Sequence, residues 1–447
     1  MAMKNILILG AGLSASSLIR YLLDNSASNG WHLNIVDQDI SLAQKKIGNS
    51  PHGTALSFNA LDPIERKPWI EKADLVISML PARFHIGVAN DCIALKTNLI
   101  TPSYISPEMK ALDQAAKDAG IVIMNEIGVD PGIDHMSAMK IIHEIKAKGG
   151  EITGFKSFTG GLIAPESDDN PWNYKFTWNP RNVVLAGQGG AASFIRNGRY
   201  KYIPYNRLFT RLDYLSVEGY GDFVGYANRD SLSYRETYGL ENIPTIYRGT
   251  LRRPGFCEAW NVFVELGMTD DTYPMDSTKT LTPRTFLNSF LPYNATATVE
   301  EKFSLFLGEK RMDLYSRFEW LGLFKDEPMV GLENATPAQV LQKILVDKLS
   351  LNANDKDMLV MIHEFTYTLN GQSRKVDSHM VNIGEDQTYT SMSNTVGLPV
   401  AICAKMILNG TLKTTGVTLP VYPEMYVPIL EELEKFDIRF IETDTEA

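Results

Sequence analysis

The sequence predicts a doubly wound α/β fold, because three features of its first 130 residues are typical of that class. Short apolar strands alternate with helical segments, a glycine-rich turn follows the first strand, and an acidic residue ends the second strand. The chain has 447 residues, so we expect two or three domains. Apolar residues make up 44% and charged residues 21%, which is the balance of a globular protein.

The first predicted strand, Lys4 to Leu9, leads directly into a glycine-rich turn, Gly10-Ala11-Gly12-Leu13-Ser14-Ala15. This Gly-x-Gly-x-x-Ala spacing is one form of the dinucleotide-binding fingerprint. The first glycine permits the tight turn, the second lets the backbone approach a pyrophosphate, and the alanine lets the next helix pack closely. A tight turn without a ligand produces the same pattern, but its position between a strand and a helix favours dinucleotide binding.

The second predicted strand, Leu33 to Val36, is followed by Asp37, at the position where an acid holds the ribose 2′-hydroxyl of a dinucleotide. A 2′-phosphate about 4 Å from this carboxylate would be repelled by roughly 4 kcal/mol at an effective dielectric near 20. The next residues are Gln38, Asp39 and Ile40, so no arginine directly offsets this repulsion. We therefore expect the cofactor to be NAD rather than NADP.

Four further apolar strands complete a predicted six-stranded, Rossmann-like sheet: Thr54–Phe58, Asp74–Leu80, Asn98–Thr101 and Ile121–Met124. Two strand ends face the cofactor side, with Leu80-Pro81 after the fourth strand and Tyr104 shortly after the fifth. Tyr104 is a candidate hydrogen-bond donor in the site. An aromatic side chain that only covers the sheet edge is the alternative interpretation.

The stretch Met124 to His135 joins the last of these strands to a predicted helix that stops at Gly149. Asp130 precedes Pro131, which is the pattern of a helix N-cap followed by proline at the first helical position. Asp130 would then lie at a helix N-terminus and at the carboxyl end of a strand, where open α/β sheets bind ligands. The alternative is that Asp130 only caps the helix.

Composition and charge exclude several classes of partner. The net charge of −10 argues against nucleic acid or an anionic membrane, and no apolar run approaches the roughly 18 residues of a membrane helix. The three cysteines, Cys92, Cys257 and Cys403, lie too far apart to indicate a disulfide framework or a metal site. The first residues lead directly into a strand rather than a signal peptide. We expect a cytoplasmic protein that binds a small molecule and no metal.

The region between Arg181 and Arg253 is basic although the chain is acidic. It holds ten arginines and one lysine against six acids. Such a region suits an acidic small-molecule substrate, because a guanidinium can grip a carboxylate with two hydrogen bonds. We single out Arg229 and Arg252 as candidate anchors. A solvated face or a subunit interface is the alternative interpretation for about half of these arginines.

With these motifs in view, the chain resembles the saccharopine reductases, the glutamate-forming saccharopine dehydrogenases, over nearly its whole length. The most specific stretches are SYISPEM at 103–109, MNEIGVDPGIDH at 124–135, GGLIAPE at 160–166, NPWNYKFTW at 170–178, NRDS at 228–231 and the tail GVTLPVYPEMYVPILEEL. The resemblance implies a homodimer and three domains. These are a Rossmann-like domain at 1–130, a substrate and dimerisation α/β domain with a mixed sheet at 131–281 and 352–419, and an all-helical domain at 282–351. The segment 420–447 is expected to pack back on the first domain.

The resemblance implies that saccharopine, or glutamate plus 2-aminoadipate 6-semialdehyde, binds at Tyr104, Asp130, Arg229, Thr250, Leu251 and Arg252. It implies that the nucleotide binds at Gly10, Ala11, Gly12, Leu13, Asp37, Leu80, Pro81, Val129, Pro131 and Asn179. We expect Asp130 to act as the catalytic base, since a carboxylate at a helix N-terminus is favoured in its charged form. We expect Tyr104 to orient water or relay a proton.

Two departures from the fungal members of this family bear on the expected chemistry. Fungal members carry a cysteine where this chain has Thr159, and a hydroxyl cannot supply the acid–base chemistry of a thiol near neutral pH. Fungal members also prefer NADP and have a basic residue near the end of the second strand, where this chain has Asp37. A preference for NAD would favour the oxidative, lysine-degrading direction. The alternatives are an imine reductase like carboxynorspermidine dehydrogenase and a non-catalytic NAD-binding regulatory protein.

Overall fold

The computed structural model describes residues 3–446, which fold into two compact units. The first unit is formed by the chain up to Gly154, by Glu236–Glu241 and by the chain from Met358 onward. The second unit is formed by Phe155–Arg235 and Asn242–Asp357.

The strands of the described residues are β1 (Lys4–Leu9), β2 (Trp31–Val36), β3 (Gly53–Leu56), β4 (Leu75–Ser78), β5 (Asn98–Ile100), β6 (Val122–Met124), β7 (Glu151–Ile163), β8 (Ala192–Arg196), β9 (Arg199–Ile203), β10 (Leu212–Val217), β11 (Gly221–Ala227), β12 (Thr245–Arg252), β13 (Asp357–Leu369), β14 (Gln372–Ile383), β15 (Gly416–Thr418) and β16 (Ile441–Glu446).

The α-helices are α1 (Ser16–Asn29), α2 (Ile40–Ile47), α3 (Pro63–Ile70), α4 (His85–Leu95), α5 (Pro107–Lys110), α6 (Asp113–Ala119), α7 (Ile133–Ala147), α8 (Pro180–Val184), α9 (Tyr234–Thr237), α10 (Phe256–Leu266), α11 (Pro283–Phe290), α12 (Val299–Leu307), α13 (Tyr315–Trp320), α14 (Pro337–Leu349), α15 (Ser391–Leu408) and α16 (Pro423–Leu433).

The first unit is built on a seven-stranded parallel sheet with the order β15-β6-β5-β4-β1-β2-β3. The buried parts of its central strands are mostly apolar, Ile6–Leu9 in β1 and Leu75–Ile77 in β4, as expected for a parallel sheet covered on both faces. The strand order reverses between β1 and β4, so the carboxyl ends of these two strands border the crevice where such sheets bind their ligands. The predicted doubly wound α/β fold is confirmed.

The sequence predicts six strands in this sheet, and the seventh, β15, comes from far along the chain. Gly416–Thr418 pairs in parallel with β6, and the amide of Asn125 donates to the carbonyl of Thr418 at an N–O distance of 3.0 Å. A three-residue strand carries too short a pattern to be recognised by periodicity.

Helix α15 corrects the expectation that no segment approaches the length of a membrane helix. By length and composition Ser391–Leu408 could cross a membrane, but 83% of this helix is buried inside the protein, as is typical of a core helix. It packs against α1, and the amide of Ser17 donates to Ser393 Oγ at 2.9 Å. Gly397 is required here, because a Cβ atom would lie 2.8 Å from the backbone nitrogen of Leu18.

The C-terminal segment lies in the same unit as the parallel sheet. Helix α16 packs against α7 and α15, and Lys405 on α15 forms an ion pair with Glu432 on α16 at 2.9 Å. Strand β16 pairs antiparallel with β14, which in turn pairs antiparallel with β13.

The second unit contains the antiparallel strands β10, β11 and β12, with β7 beside β12 and the β8–β9 hairpin attached to β12. The described chain between β12 and β13 contains only helices, which confirms the predicted helical insertion. Aromatic rings pack together in the core of the second unit. Trp172 stacks on Phe263 with 5.6 Å between the ring centroids, and Phe318 contacts both rings edge-on.

The two compact units divide the chain at different places from the predicted domains. The sequence places a boundary at 130, whereas the first unit runs on to Gly154 because α7 packs with α16. The helices from Pro283 to Leu349 share the second unit with β8–β12. The three-domain division stays a prediction.

Candidate active site

The glycine-rich turn has the geometry that a dinucleotide site requires. Gly10 has a φ of 103°, and a Cβ atom there would lie 3.2 Å from the carbonyl oxygen of Met79, so only glycine fits without strain. At Gly12 a Cβ atom would meet nothing within 4 Å, which leaves open space beside the backbone. Ala11 is buried, Leu13 is exposed, and α1 begins at Ser16. The chain therefore presents an open turn and a helix N-terminus to a phosphate group.

Asp37 links the end of β2 to this turn. Its Oδ2 accepts a hydrogen bond from the amide of Ala11 at 2.8 Å, and its Oδ1 accepts one from the amide of Asp39 at 3.0 Å. The carboxylate therefore lies beside the fingerprint, where an adenosine ribose is expected to bind. These residues fit a nicotinamide dinucleotide.

Leu80 and Pro81 follow β4, the strand that neighbours β1 in the sheet. The amide of Met79 donates to the carbonyl of Leu9 at 2.9 Å, so the two strand ends stay together up to the glycine-rich turn. Leu80 packs partly into the apolar core and Pro81 is exposed. Both residues lie at the point where the strand order reverses, as the sequence predicts for the cofactor side.

Tyr104 and Asp130 are brought together. The hydroxyl of Tyr104 donates to Oδ1 of Asp130 at 2.8 Å, and both side chains are half-buried. They follow β5 and β6, which are neighbours in the parallel sheet, so both lie at its carboxyl edge. A carboxylate paired with a phenol at this edge can accept a proton from a substrate group.

The prediction that Asp130 caps the following helix is wrong. Helix α7 begins only at Ile133, and its N-cap is Gly132 with a φ of 147°. A Cβ atom at Gly132 would lie 2.0 Å from the carbonyl oxygen of Gly128, and the amide of Gly128 donates to the carbonyl of Pro131 at 2.9 Å. This tight turn holds Val129 to Pro131 outside the helix, so Pro131 does not occupy the first helical position.

Behind this pair lies a buried chain of polar groups that sequence reasoning missed. The amide of Ile105 donates to Oε1 of Glu126 at 2.8 Å, and Oε2 of Glu126 lies 2.7 Å from Nε2 of His135. Nδ1 of His135 lies 2.6 Å from the hydroxyl of Tyr238. These hydrogen-bonded groups fix the backbone at Ile105, next to Tyr104. The signal of these groups in the sequence is an acid and a histidine within the apolar stretch 121–136.

Replacing Glu126 with alanine should lower the free energy of unfolding by about 3–5 kcal/mol, because His135 and the amide of Ile105 both lose the buried carboxyl group that they contact. Denaturant titration of the purified variant measures this. The matched control is Glu385→Ala, which breaks the exposed ion pair with Arg20 and should cost about 1 kcal/mol or less. Equal losses in the two variants would contradict a supporting role for the buried chain.

A second buried histidine ties the ends of β4 and β5 together. Nδ1 of His85 lies 2.9 Å from Ser78 Oγ, and its Nε2 lies 2.8 Å from both Thr101 Oγ1 and Ser103 Oγ. Burial lowers the pKa of His85 to about 4, so the ring is neutral near pH 7. Three hydroxyls around a neutral ring fix the backbone at the ends of β4 and β5, on one side of the cofactor crevice.

In the second unit, Arg252 has the features of an anion-binding residue. Its guanidinium is 4% exposed and lies 5.2, 5.8 and 5.3 Å from the rings of Tyr174, Tyr226 and Phe256. Within residues 3–446 it forms a single side-chain hydrogen bond, from Nη1 to the carbonyl of Leu251, and no carboxylate pairs with it. A buried charge is costly unless it is paired, so this arrangement suits an incoming carboxylate.

Two further buried hydroxyls of the second unit, those of Tyr174 beside Arg252 and of Thr159, lack partners within the described residues. The hydroxyl of Tyr174 is buried without a hydrogen bond, and burial raises its pKa to about 12, so it stays protonated and able to donate. Sequence reasoning recognised the stretch 170–178 but assigned Tyr174 no role. Thr159, which replaces the cysteine of fungal members, is likewise buried with an unpartnered hydroxyl.

The remaining predicted residues of the second unit have mixed settings. Thr250 and Leu251 lie in β12. Leu251 packs closely against Gly160, since a Cβ atom added at Gly160 would lie 2.7 Å from the Cβ atom of Leu251. Arg229 is exposed with a φ of 39°, and its carbonyl accepts from the amide of Ser193 at 2.9 Å. Asn179 is exposed and caps α8. Its nucleotide role stays a prediction.

Several arginines of the basic region have structural partners rather than a place in a substrate site. Arg196 forms an ion pair with Asp213 at 2.9 Å, and Arg181 forms one with Asp271. Nη1 of Arg253 donates to the carbonyl of Tyr220 at 2.7 Å. These arginines make contacts within the fold, and the alternatives of a solvated face or a subunit interface stay predictions.

The fold and the cofactor crevice define a nicotinamide-dinucleotide-binding oxidoreductase. Two protein-family profiles match the chain: "Saccharopine dehydrogenase NADP binding domain" over residues 6–124 and "Saccharopine dehydrogenase C-terminal domain" over residues 128–438. The chain belongs to the saccharopine dehydrogenase family.

Curated relatives and a solved structure agree with this assignment. The chain is 36% identical to saccharopine dehydrogenase [NADP(+), L-glutamate-forming] of Saccharomyces cerevisiae, covering 96% of this chain and 97% of the relative. It is 34% identical to the protein of that name from Pyricularia oryzae, over 98% of each chain. The apo structure of the Saccharomyces cerevisiae enzyme superposes with a TM-score of 0.89 at 33% identity, covering 99% of this chain and 100% of the other.

Proposed function

We propose that the chain interconverts saccharopine with L-glutamate plus 2-aminoadipate 6-semialdehyde, using a nicotinamide dinucleotide. The observation that carries this proposal is the Tyr104–Asp130 pair at the carboxyl edge of the sheet. Support comes from relatives 34–36% identical over nearly the whole chain whose names state the glutamate-forming reaction.

In the oxidative direction the bound dinucleotide supplies the hydride acceptor. Asp130 accepts the proton that the secondary amine of saccharopine must lose and releases it to solvent, which frees the carboxylate to accept a proton from the water that adds to the imine carbon. The hydroxyl of Tyr104 donates to Asp130 and holds that carboxylate in place. When the carbon–nitrogen bond breaks, Asp130 gives the proton taken from water to the departing nitrogen and takes up the proton of the carbinolamine hydroxyl, so that the aldehyde forms. The nitrogen leaves as the amine of glutamate, which Asp130 then protonates. One water is consumed, and one proton is released for each hydride transferred.

The substrate carries three carboxylates, so cationic side chains must receive them. Arg252 is proposed as the buried anchor, because its guanidinium has no acidic partner within residues 3–446. Tyr174 would donate beside it, and the exposed Arg229 would bind a second carboxylate.

Product analysis tests the reaction. With saccharopine and an oxidised dinucleotide, glutamate should appear in a one-to-one ratio with reduced dinucleotide. Lysine and 2-oxoglutarate would mean that the carbon on the other side of the nitrogen is oxidised, and that outcome would contradict the proposal.

We also propose that NAD is preferred, against the NADP in the names of the relatives and of the family profile. The support is the carboxylate of Asp37 beside the fingerprint, which repels a 2′-phosphate.

The variant Asp37→Ser should therefore raise the NADP-to-NAD ratio of kcat/KM by about 10- to 100-fold, since it removes this repulsion. Steady-state kinetics with each cofactor measure the ratio. The matched control is Asp39→Ser, two residues further on, whose exposed side chain accepts from the amide of Ser41 at 3.0 Å. A ratio that moves equally in both variants, or in neither, would remove the basis for an NAD preference.

A further inference from the structure

A lysine from α2 reaches the glycine-rich turn from outside the fingerprint. Lys46 lies in the last turn of α2 and is half-buried. Its Nζ donates to the carbonyl of Gly12 at 2.9 Å and also to Oγ of Ser16, the first residue of α1. The ammonium is therefore held at the second glycine of the fingerprint, on which the dinucleotide phosphates are expected to lie.

The charge of Lys46 is not neutralised by a neighbouring acid. An ammonium has three donors, and the contacts with Gly12 and Ser16 use two of them. Within residues 3–446 no carboxylate lies within ion-pair distance of Lys46, because the oxygens of Asp37 accept instead from the amides of Ala11 and Asp39. One donor and a full positive charge thus remain beside the turn.

Lys46 and Asp37 act on the same space. Asp37 accepts from the amide of Ala11 at 2.8 Å, and Lys46 donates to the carbonyl of the next residue, Gly12, at 2.9 Å, so both groups border the region between the second glycine and the end of β2. That region receives the adenosine ribose, whose 2′ position carries a hydroxyl in NAD and a phosphate in NADP. Asp37 opposes the phosphate, and the ammonium attracts it.

We propose that Lys46 recognises the 2′-phosphate and thereby determines how well this chain accepts NADP in spite of Asp37. The positive charge that other dinucleotide sites draw from the residue after the second strand comes here from the far end of α2. This inference rests on the dinucleotide site alone and does not depend on which amino acid is the substrate.

A purely structural role for Lys46 predicts something different. If the lysine only held α2 against the turn, its loss would weaken the binding of both cofactors equally. If Lys46 recognises the 2′-phosphate, its replacement should weaken the binding of the phosphorylated cofactor much more than that of the other cofactor. The two roles are therefore separated by a ratio of dissociation constants rather than by either constant alone.

The pH dependence of binding gives a second readout. Burial is the main cause that lowers the pKa of Lys46 to about 8, and the neighbouring charge of Lys45 also lowers it, while Asp37 acts to raise it. The group on α1 that contacts the ammonium is the uncharged hydroxyl of Ser16. The charged form is present below this pKa and is lost above it. The affinity for the phosphorylated cofactor should therefore fall as the pH rises through about 8, with little change for the other cofactor.

The test is fluorescence titration of the full-length protein with NADPH and with NADH, in the absence of substrate. In Lys46→Met the dissociation constant for NADPH should rise about 10- to 100-fold and that for NADH less than about 3-fold, as expected for losing one charge-assisted hydrogen bond. Lys46→Arg should keep the wild-type ratio. The control Lys45→Met removes the exposed neighbouring charge and should leave the ratio unchanged.

Three results would overturn the inference: equal weakening of both cofactors in Lys46→Met, an unchanged ratio, or an equal shift in Lys45→Met. If Lys46→Met does not fold, Lys46→Gln replaces it, since glutamine keeps a donor for Gly12 and loses the charge. Binding is measured without turnover, so inactivity with saccharopine would leave this test intact.

Discussion

Asp130→Asn is expected to lower kcat by about 10²- to 10⁴-fold, the contribution of a positioned general base. Asparagine keeps the size of the side chain and can still accept from the Tyr104 hydroxyl, but it cannot take up a proton. The dissociation constant for the dinucleotide should change little, which separates a chemical defect from a binding defect. Steady-state and single-turnover kinetics measure both quantities.

Tyr104→Phe is the companion variant, because it removes the 2.8 Å hydrogen bond to Asp130 and keeps the aromatic ring. Its kcat should lie between those of the wild type and Asp130→Asn. If Asp130→Asn retains more than about a third of the wild-type kcat, the proton transfer assigned to Asp130 lies elsewhere.

Arg252→Met is expected to raise the KM for saccharopine by about 10²- to 10³-fold, since a buried charge pair with the substrate is lost. The free protein should be as stable as the wild type or more stable, because the substitution removes a buried charge that has no acidic partner within residues 3–446. Thermal unfolding together with substrate kinetics gives both values. A variant that gains stability while losing substrate affinity is the signature of a binding residue.

Arg196→Met is the matched control in the same unit. Arg196 already has an acidic partner, Asp213, at 2.9 Å, so its loss should leave the KM for saccharopine within about 3-fold of the wild type. A similar rise in KM for both variants would mean that the general positive charge of this region, rather than Arg252, binds the substrate.

The parallel sheet and the cofactor crevice are predictable from the sequence because their signals are local. A buried parallel strand is a continuous apolar run, and the turn at Gly10 is recognised by its Gly-x-Gly-x-x-Ala spacing directly after such a run. Asp37 is found for the same reason, since it directly follows such a strand. β15 escapes prediction because three residues carry no periodicity, and its partner β6 lies almost three hundred residues away.

The parts of the site that sequence reasoning missed depend on tertiary contacts. The start of α7 is set by the close approach of Gly132 to Gly128, which overrides the usual signal of an aspartate before proline. His135 is hydrogen-bonded to Tyr238, which lies 103 positions further along the chain, so no local pattern connects the two residues. Within the described residues Arg252 differs from Arg181 and Arg196 in that it is buried among aromatic rings and pairs with no acid, and neither property can be read from the sequence.

The resemblance in the sequence carries the assignment further than these local patterns do. It places Tyr104 and Asp130 in one site, and the structure joins them by a hydrogen bond. It gives no reason for Lys46, which lies outside the six motif stretches that carry the resemblance and whose role is indicated by the contact of its ammonium with the carbonyl of Gly12.

The central claim is tested most directly by absorbance at the reduced-nicotinamide band, with purified protein and saccharopine, and with NAD and NADP in separate cuvettes. A rise with saccharopine that depends on Asp130 is the predicted result, and a faster rise with NAD would support the argument from Asp37. A rise mainly with NADP would keep the reaction and contradict the cofactor preference. No rise with either, while the dinucleotide still binds, would contradict the proposed reaction and favour a related imine substrate such as carboxynorspermidine, or a regulatory protein that binds the cofactor without turnover.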